Sequence, residues 1–229
     1  TTTLAVITKK SQMNWKFEEE SVLKNYSEST PCKEIFQAVC DEIGKYFVNK
    51  GWKYARSRPK ITFKNEKLKI EIGFWSSGSN TPGEYVNLEI LPNIYSLELV
   101  NKLKSEGIKS KGYILSFNQL FYERLNNAEK GKKIILNAFG EKIERIDEYN
   151  LTPEFIFNKN VNVYGLKENE FVKIIEFIEN KVLVWIERIN NIEEIDSFLK
   201  KLTDINRKRL REENFEKLLN LKFPEYEIE

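Results

Sequence analysis

From Trp52 to Leu91 apolar side chains recur at every second position, and this period constrains the fold more than anything else in the sequence. A period of two is that of a β-strand with one buried face. Ile61 and Phe63, then Leu68, Ile70, Ile72 and Phe74, then Val86, Leu88 and Ile90 share one side of three runs at 60–64, 67–75 and 84–91. A fourth run, 52–57, precedes them. The connections are short, so the strands are expected to pair antiparallel. The stretch from Ser76 to Gly83 is rich in Ser, Gly and Asn and reads as a flexible hairpin connection.

The period changes to that of a helix on either side. Thr30 is a good N-cap and Pro31 suits the first helical position. Ile35, Phe36, Val39, Ile43 and Phe47 then recur at helical steps until Gly51 ends the run. This helix is expected to cover the apolar faces of the strands. Leu4 to Ile7 reads as an edge strand, and the polar stretch to Ser29 as mostly irregular. A short helix is expected over Leu97 to Leu103 and a strand over Lys132 to Asn137, while Tyr113 to Tyr122 is ambiguous.

In the last third, Phe171, Ile174, Ile175, Ile178, Val182, Trp185, Ile186 and Ile189 form a helical stripe, with Trp185 in the core. Ile195, Phe198, Leu199 and Leu202 continue it after a turn at Asn190 and Asn191, and a third helix is expected over Asp204 to Leu221. Val182 to Ile186 is β-branched enough that helix and strand both stay open. The fold class is therefore α+β: an N-terminal helix on an antiparallel sheet over 1–125, and a mainly helical region over 126–229 that either joins the same core or stands beside it.

Several chemistries are excluded at once, because the chain has no histidine. Ser-His-Asp and Cys-His mechanisms, HExxH proteases and classical zinc fingers all need one. The patterns GxxxxGK[ST], GxSxG and GxGxxG are missing, and no expected strand carries the acid two residues before a lysine that marks many metal-dependent nucleases. The two cysteines, Cys32 and Cys40, lie eight residues apart on one helix. That spacing is ~12 Å along the axis and excludes a disulfide between them. A reducing, cytoplasmic location is expected, with no cofactor, no metal and no membrane span.

The net charge of +2 conceals a segregation. Between Lys45 and Lys69 nine bases face one acid, Glu66, a local +8. From Glu141 to Lys200 thirteen acids face eight bases, a local −5. The two regions can attract each other, or each can meet its own partner. If 52–58 is one strand, Trp52, Tyr54, Arg56 and Arg58 share a face, and Lys60, Lys64, Lys67 and Lys69 extend it. Aromatics beside cations are what single-stranded nucleic acid needs for stacking and phosphate contact. The more ordinary reading is that these lysines protect a sheet edge and that Trp52 and Tyr54 cap the core.

Trp75 and Tyr85 flank the Ser/Gly/Asn connection and are candidates to line a pocket. Glu71 and Glu89 are either a carboxylate pair or, more commonly for such acids, partners of Lys69. Arg207, Lys208, Arg209 and Arg211 form a second basic cluster, but the glutamates that follow make a solvated helix face the default.

The segments GWKYARSRPKITFK, LKIEIGFWSSGSN and GEYVNLEILPNIYS, between Gly51 and Ser96, resemble a family of uncharacterised bacterial α+β proteins. In that family a helix leads to a glycine-aromatic-lysine turn, an Arg/Lys-rich strand pair and a strand ending in Ser-Ser. The resemblance implies a small accessory protein, of a kind sometimes encoded near toxin or phage-defence genes. It supplies no catalytic residues and does not reach the C-terminal helices. The expectation is a non-enzymatic binding protein, in toxin immunity or phage defence, that contacts another protein through Arg56, Arg58, Lys60, Lys64, Trp75 and Tyr85. The alternatives are nucleic-acid binding, with Trp52, Tyr54, Lys67 and Lys69 added, and a histidine-free nuclease using Tyr, Arg, Lys and Glu.

Overall fold

A computed structural model describes residues 15–76, 78–121, 139, 160–202, 207–210 and 214–226, and the strand backbone at 123–124, 132–136, 142–146 and 155–156. Helix α1 spans Cys32–Asn49 and buries the expected stripe, with Ile35, Val39, Ile43 and Phe47 wholly covered. It begins one residue later than its sequence signals indicate. Pro31 is the N-cap, and the Thr30 hydroxyl accepts instead from the Ser27 amide.

At its other end Gly51 takes φ +86°. The Gly51 amide bonds to the Val48 carbonyl, and the Trp52 amide reaches back to that of Phe47. This pair of bonds is a Schellman motif, whose usual companion is an apolar contact across the turn. The Trp52 and Phe47 rings supply it at 5.1 Å.

Strands β1 (Lys53–Ala55), β2 (Lys60–Lys64), β3 (Leu68–Trp75) and β4 (Asn87–Ser96) follow, each antiparallel to the next. Their inner face buries Ile61, Leu68, Ile70, Ile72, Phe74, Leu88, Ile90 and Ile94, with α1 lying against β1 and β2. Burying an Ile or Phe side chain contributes ~1.5–3 kcal/mol, against at most ~1 kcal/mol for an exposed ion pair. The inner face, not the charged outer one, therefore holds the sheet.

The second edge of β4 is divided. β5 (Tyr113–Ser116) pairs with Asn93 to Tyr95, and β10 (Asn160–Asn162) pairs with Asn87 to Glu89. Pro92 falls in the interval between them. The Val86 carbonyl accepts from Val163 and the Ser96 amide donates to Gly112, both on this edge, whereas the Leu97 amide reaches Lys67 on the β3 side. Backbone groups alternate along a strand, so Pro92 presents its missing N–H to this gap, where no ladder bond is lost. This explains how β4 continues past the point where the sequence places its end, Leu91.

Helix α2 (Leu97–Ser105) is capped by the Ser96 hydroxyl, which accepts from the Leu99 amide at 3.1 Å. The ambiguous segment from Tyr113 resolves as β5 followed by α3 (Phe117–Leu120). Strands β6 (Glu123–Arg124) and β9 (Phe155–Ile156) pair with each other, as do β7 (Lys132–Leu136) and β8 (Lys142–Ile146).

The C-terminal helices are α4 (Glu168–Ile178), α5 (Trp185–Arg188), α6 (Ile192–Lys201) and α7 (Asn214–Lys222). Where helix and strand stayed open, the chain is helical: a π-helical stretch at Glu179–Leu183 links α4 to α5. Asn191 caps α6 through its side-chain oxygen, as its place at the turn requires. Trp185 is 1% exposed and packs edge-on against Phe198 and Phe215.

These helices share one continuous apolar cluster with the sheet. Phe171 packs tilted against Trp15 and edge-on against Phe17, Phe177 packs tilted against Phe121, and the Asn214 side-chain amide donates to the Tyr113 carbonyl. Of the third helix expected over Asp204 to Leu221, residues 207–210 and α7 are helical and the rest lies outside the described residues. The edge strand expected over Leu4 to Ile7 and the position of Arg211 lie outside the described residues. Among the described residues no helix is long and apolar enough to cross a membrane.

Candidate functional site

The basic segment meets its own acids. Of its nine cations, Lys45 pairs with Glu18, Lys50 with Glu179, Arg56 with Asp41, Lys67 with Glu98, and Lys60 and Lys69 both with Glu71. Lys53, Arg58 and Lys64 have no ion pair among the described residues. The Lys50 pair, joined by a Tyr46 hydroxyl donating to Glu179 at 2.7 Å, ties the basic ribbon to the acidic helical third. Glu179 also begins the chain's Glu-x-Lys triplet, Glu179–Lys181, which sits on the π-helical stretch and not on a strand.

The face expected to carry Trp52, Tyr54, Arg56 and Arg58 together is interrupted. The Schellman turn sends Trp52 inward, where it is 6% exposed between Phe47 and Phe63. This removes it from the candidate nucleic-acid contacts. Tyr54 is half-buried over Gly44, and its hydroxyl donates to Asp41 at 2.8 Å. Burial first, and that bond second, push its phenol far up. β1 ends at Ala55, so Arg56 and Arg58 lie in a turn. Arg56 Nε donates to both Asp41 oxygens, at 3.2 and 3.0 Å, and Gln37 donates a further bond to the same carboxylate.

On the outer face of the sheet Glu71 is opposite Asn93, while Glu89 is opposite Trp75, so the two acids are not a cross-strand pair. Glu71 instead holds Lys60 at 2.9 Å and Lys69 at 3.4 Å. Its burial alone would raise the carboxyl, but the two lysines outweigh it and lower it. Lys69 also sits 4.6 Å over the Tyr95 ring. Burial, with the Glu71 charge beside it, pushes the Tyr95 phenol up to about 12.

The turn at 56–59 and the loop after β3 lie at the same end of the sheet, because Lys60 is opposite Gly73. Between them and the start of α1 is a groove of about 630 Å3. Phe36, Pro59, Phe74, Trp75 and Leu91 give it apolar walls, and Lys33, Arg58 and Lys60 give it charge, with no carboxylate in the lining. Trp75 is 61% exposed, the most exposed large apolar side chain among the described residues. Gly73 leaves the floor open, since a Cβ there would meet nothing closer than the Leu91 carbonyl at 3.9 Å.

One wall is held by side-chain amides. Asn80 donates to the Ser76 hydroxyl at 2.7 Å and accepts from the Asn87 amide at 2.8 Å, so the loop expected to be flexible is bonded to β4. The structure thus brings Arg58, Lys60 and Trp75 together. Arg56 is locked beside the groove, Lys64 is at the far end of β2, and Tyr85 donates to Asn87 without lining it. Lys33 and Phe36 were not singled out by sequence, and the α1 stripe that includes Phe36 carries no mark of a groove.

Among the described residues no group of three or more His, Cys, Asp or Glu side chains is placed to hold a metal ion. Comparison with protein-family models, with curated proteins and with solved structures returns no match for this chain.

Proposed function

We propose that this chain is a binding protein that takes a segment of another protein into the Trp75 groove. One observation carries the reading: a tryptophan left 61% exposed stands among apolar walls with Lys33 and Arg58, while the third lining cation, Lys60, is held by Glu71 from outside the lining. The indole is informative because it continues apolar walls rather than standing singly, and aromatic and arginine side chains at the centre of such a patch dominate binding energy. The complementary segment has an aromatic or aliphatic side chain next to carboxylates. Toxin immunity or a phage-defence accessory role is the biological setting we favour.

The nucleic-acid reading gains less support, because an extended phosphate track needs several unneutralised cations and six of the nine here are paired within the chain. The test is a pull-down from the native host with wild-type protein, Trp75→Ala and Arg58→Glu side by side, each checked for folding by circular dichroism. A protein retained by the wild type and lost from both variants is the expected result. Equal retention by all three would remove the groove from the interaction.

A further inference from the structure

Lys33 and Ser57, which line the Trp75 groove, also line a second depression of about 910 Å3 on the other side of the 56–59 turn, against α1. Its charge is opposite. Five carboxylates face it, against Lys33 and Arg56. Asp41 is held by Arg56 and Glu18 by Lys45, but Glu20 and Glu34 have no ion pair among the described residues. Glu42 is buried and accepts from the Trp15 indole N–H at 3.1 Å, and burial first of all pushes its carboxyl up. The two depressions therefore adjoin across a border of Lys33, Ser57 and the Arg56–Asp41 pair, one lined by three cations of which Lys60 alone is paired among the described residues, with Glu71 outside the lining, the other with an excess of three acids.

Resting on the groove reading above, we infer that a single extended segment of the partner protein crosses both depressions, with an acidic, aromatic end at Trp75 and a basic end over Glu20 and Glu34. A uniformly acidic segment would meet repulsion past Ser57, and a uniformly basic one would meet it at Arg58 and Lys60. Charge arranged this way selects partners and orients them more than it adds raw affinity. An extended chain advances ~3.3 Å per residue, so a peptide of about ten residues is long enough to probe both sides.

Three such peptides make the test: one with an acidic-aromatic half joined to a basic half, one with only the acidic-aromatic half charged, and one with only the basic half charged. Binding is read by quenching of Trp75 fluorescence, with Trp75→Phe as the control that removes the signal, and by calorimetry. The two-signed peptide should bind about tenfold tighter than the acidic one, ~1.4 kcal/mol. That advantage should shrink as salt rises. It should vanish in Glu20→Lys/Glu34→Lys, which leaves the acidic peptide's affinity unchanged.

Equal affinity for the two-signed and acidic peptides would overturn the inference and leave the groove reading standing. If no peptide moved the Trp75 signal, both would fall. A single-stranded oligonucleotide that bound more tightly than every peptide would assign the groove to nucleic acid and overturn both as well.

Discussion

Arg56 and Arg58 lie two residues apart in one turn, and their surroundings differ. On the Arg56 side, Asp41 accepts from Arg56, Tyr54 and Gln37, and Tyr54 lies flat against Gly44. Its polar groups have partners and its apolar ones have contacts. On the Arg58 side an indole faces solvent and Arg58 has no ion pair among the described residues. A run of positive charge in a sequence therefore reports how many cations there are, not how many remain available. The acids that neutralise most of them come from other elements, such as Asp41 on α1 and Glu179 in the π-helical stretch. The first corner should respond to substitution through stability, and the second through binding.

The sharpest way to break this contrast is Gly44→Val. Even a Cβ would sit 2.5 to 2.7 Å from the Tyr54 ring, so the ring and β1 must leave α1. We expect a loss of at least ~3 kcal/mol, the upper end of overpacking effects, read as a lower urea midpoint. Adding Tyr54→Ala should recover part of it. A midpoint equal to the wild type would show that Tyr54 is not wedged there.

Asp41→Ala should cost ~1–3 kcal/mol by stranding the Tyr54 hydroxyl and its neighbours. It also releases Arg56, so affinity for the acidic-aromatic peptide should rise while stability falls. A fall in both would contradict the view that Asp41 masks charge beside the groove.

A subtler pair of tests concerns two glutamates with opposite signs. The folded Glu42 carboxyl lies above its ordinary 4.5, so the folded state holds its proton longer and stability declines as pH rises through the window above 4.5. Glu42→Gln should flatten that decline and raise the urea midpoint at pH 7. The folded Glu71 carboxyl lies below 4.5, so its contribution is complete above 4.5 and is lost as pH falls through the lowered value. Glu71→Gln should lower the midpoint at pH 7 and remove that acid-side loss. The effect will be modest, because the Lys60 partner is substantially solvated. Midpoints moving in the same direction at pH 7 would sink the assignment.

The smallest stability effect is expected for Trp75→Ala, within ~0.5 kcal/mol, since an exposed side chain gives up little packing. The same change should abolish peptide binding. A large loss of stability would mean that Trp75 serves the fold.

The inner face was legible because burial imposes a period, and the runs ending in Phe47 and Phe74 could be read from spacing alone. Trp52 was legible in the ordinary reading, as a cap on the core; the basic-face reading failed because the period-two rule assumes a strand and the Schellman turn reverses the side chain just before one begins. Pro92 concealed the second half of β4, since its tolerance depends on a gap created by strands from residues 113 and 160 onward. At the candidate site, Arg58, Lys60 and Trp75 could be named from a basic, aromatic stretch. Lys33 and Phe36 could not, because only the packing of α1 against the ribbon brings them there. Nor could the pairing of Lys60 with Glu71 be distinguished by spacing from pairing with a neighbour.

The divided edge of β4 has a further effect. A strand that slides by two residues keeps its inward side chains inward, so hydrophobic patterning does not forbid such a slip. Here β10 and β5 approach the same proline from opposite directions, and either one creeping forward would offer a carbonyl to a ring nitrogen with no hydrogen to give. Pro92 acts as a buffer stop between two short strands, beside the side-chain bonds of Asn162 and Asn214 that also hold their alignment.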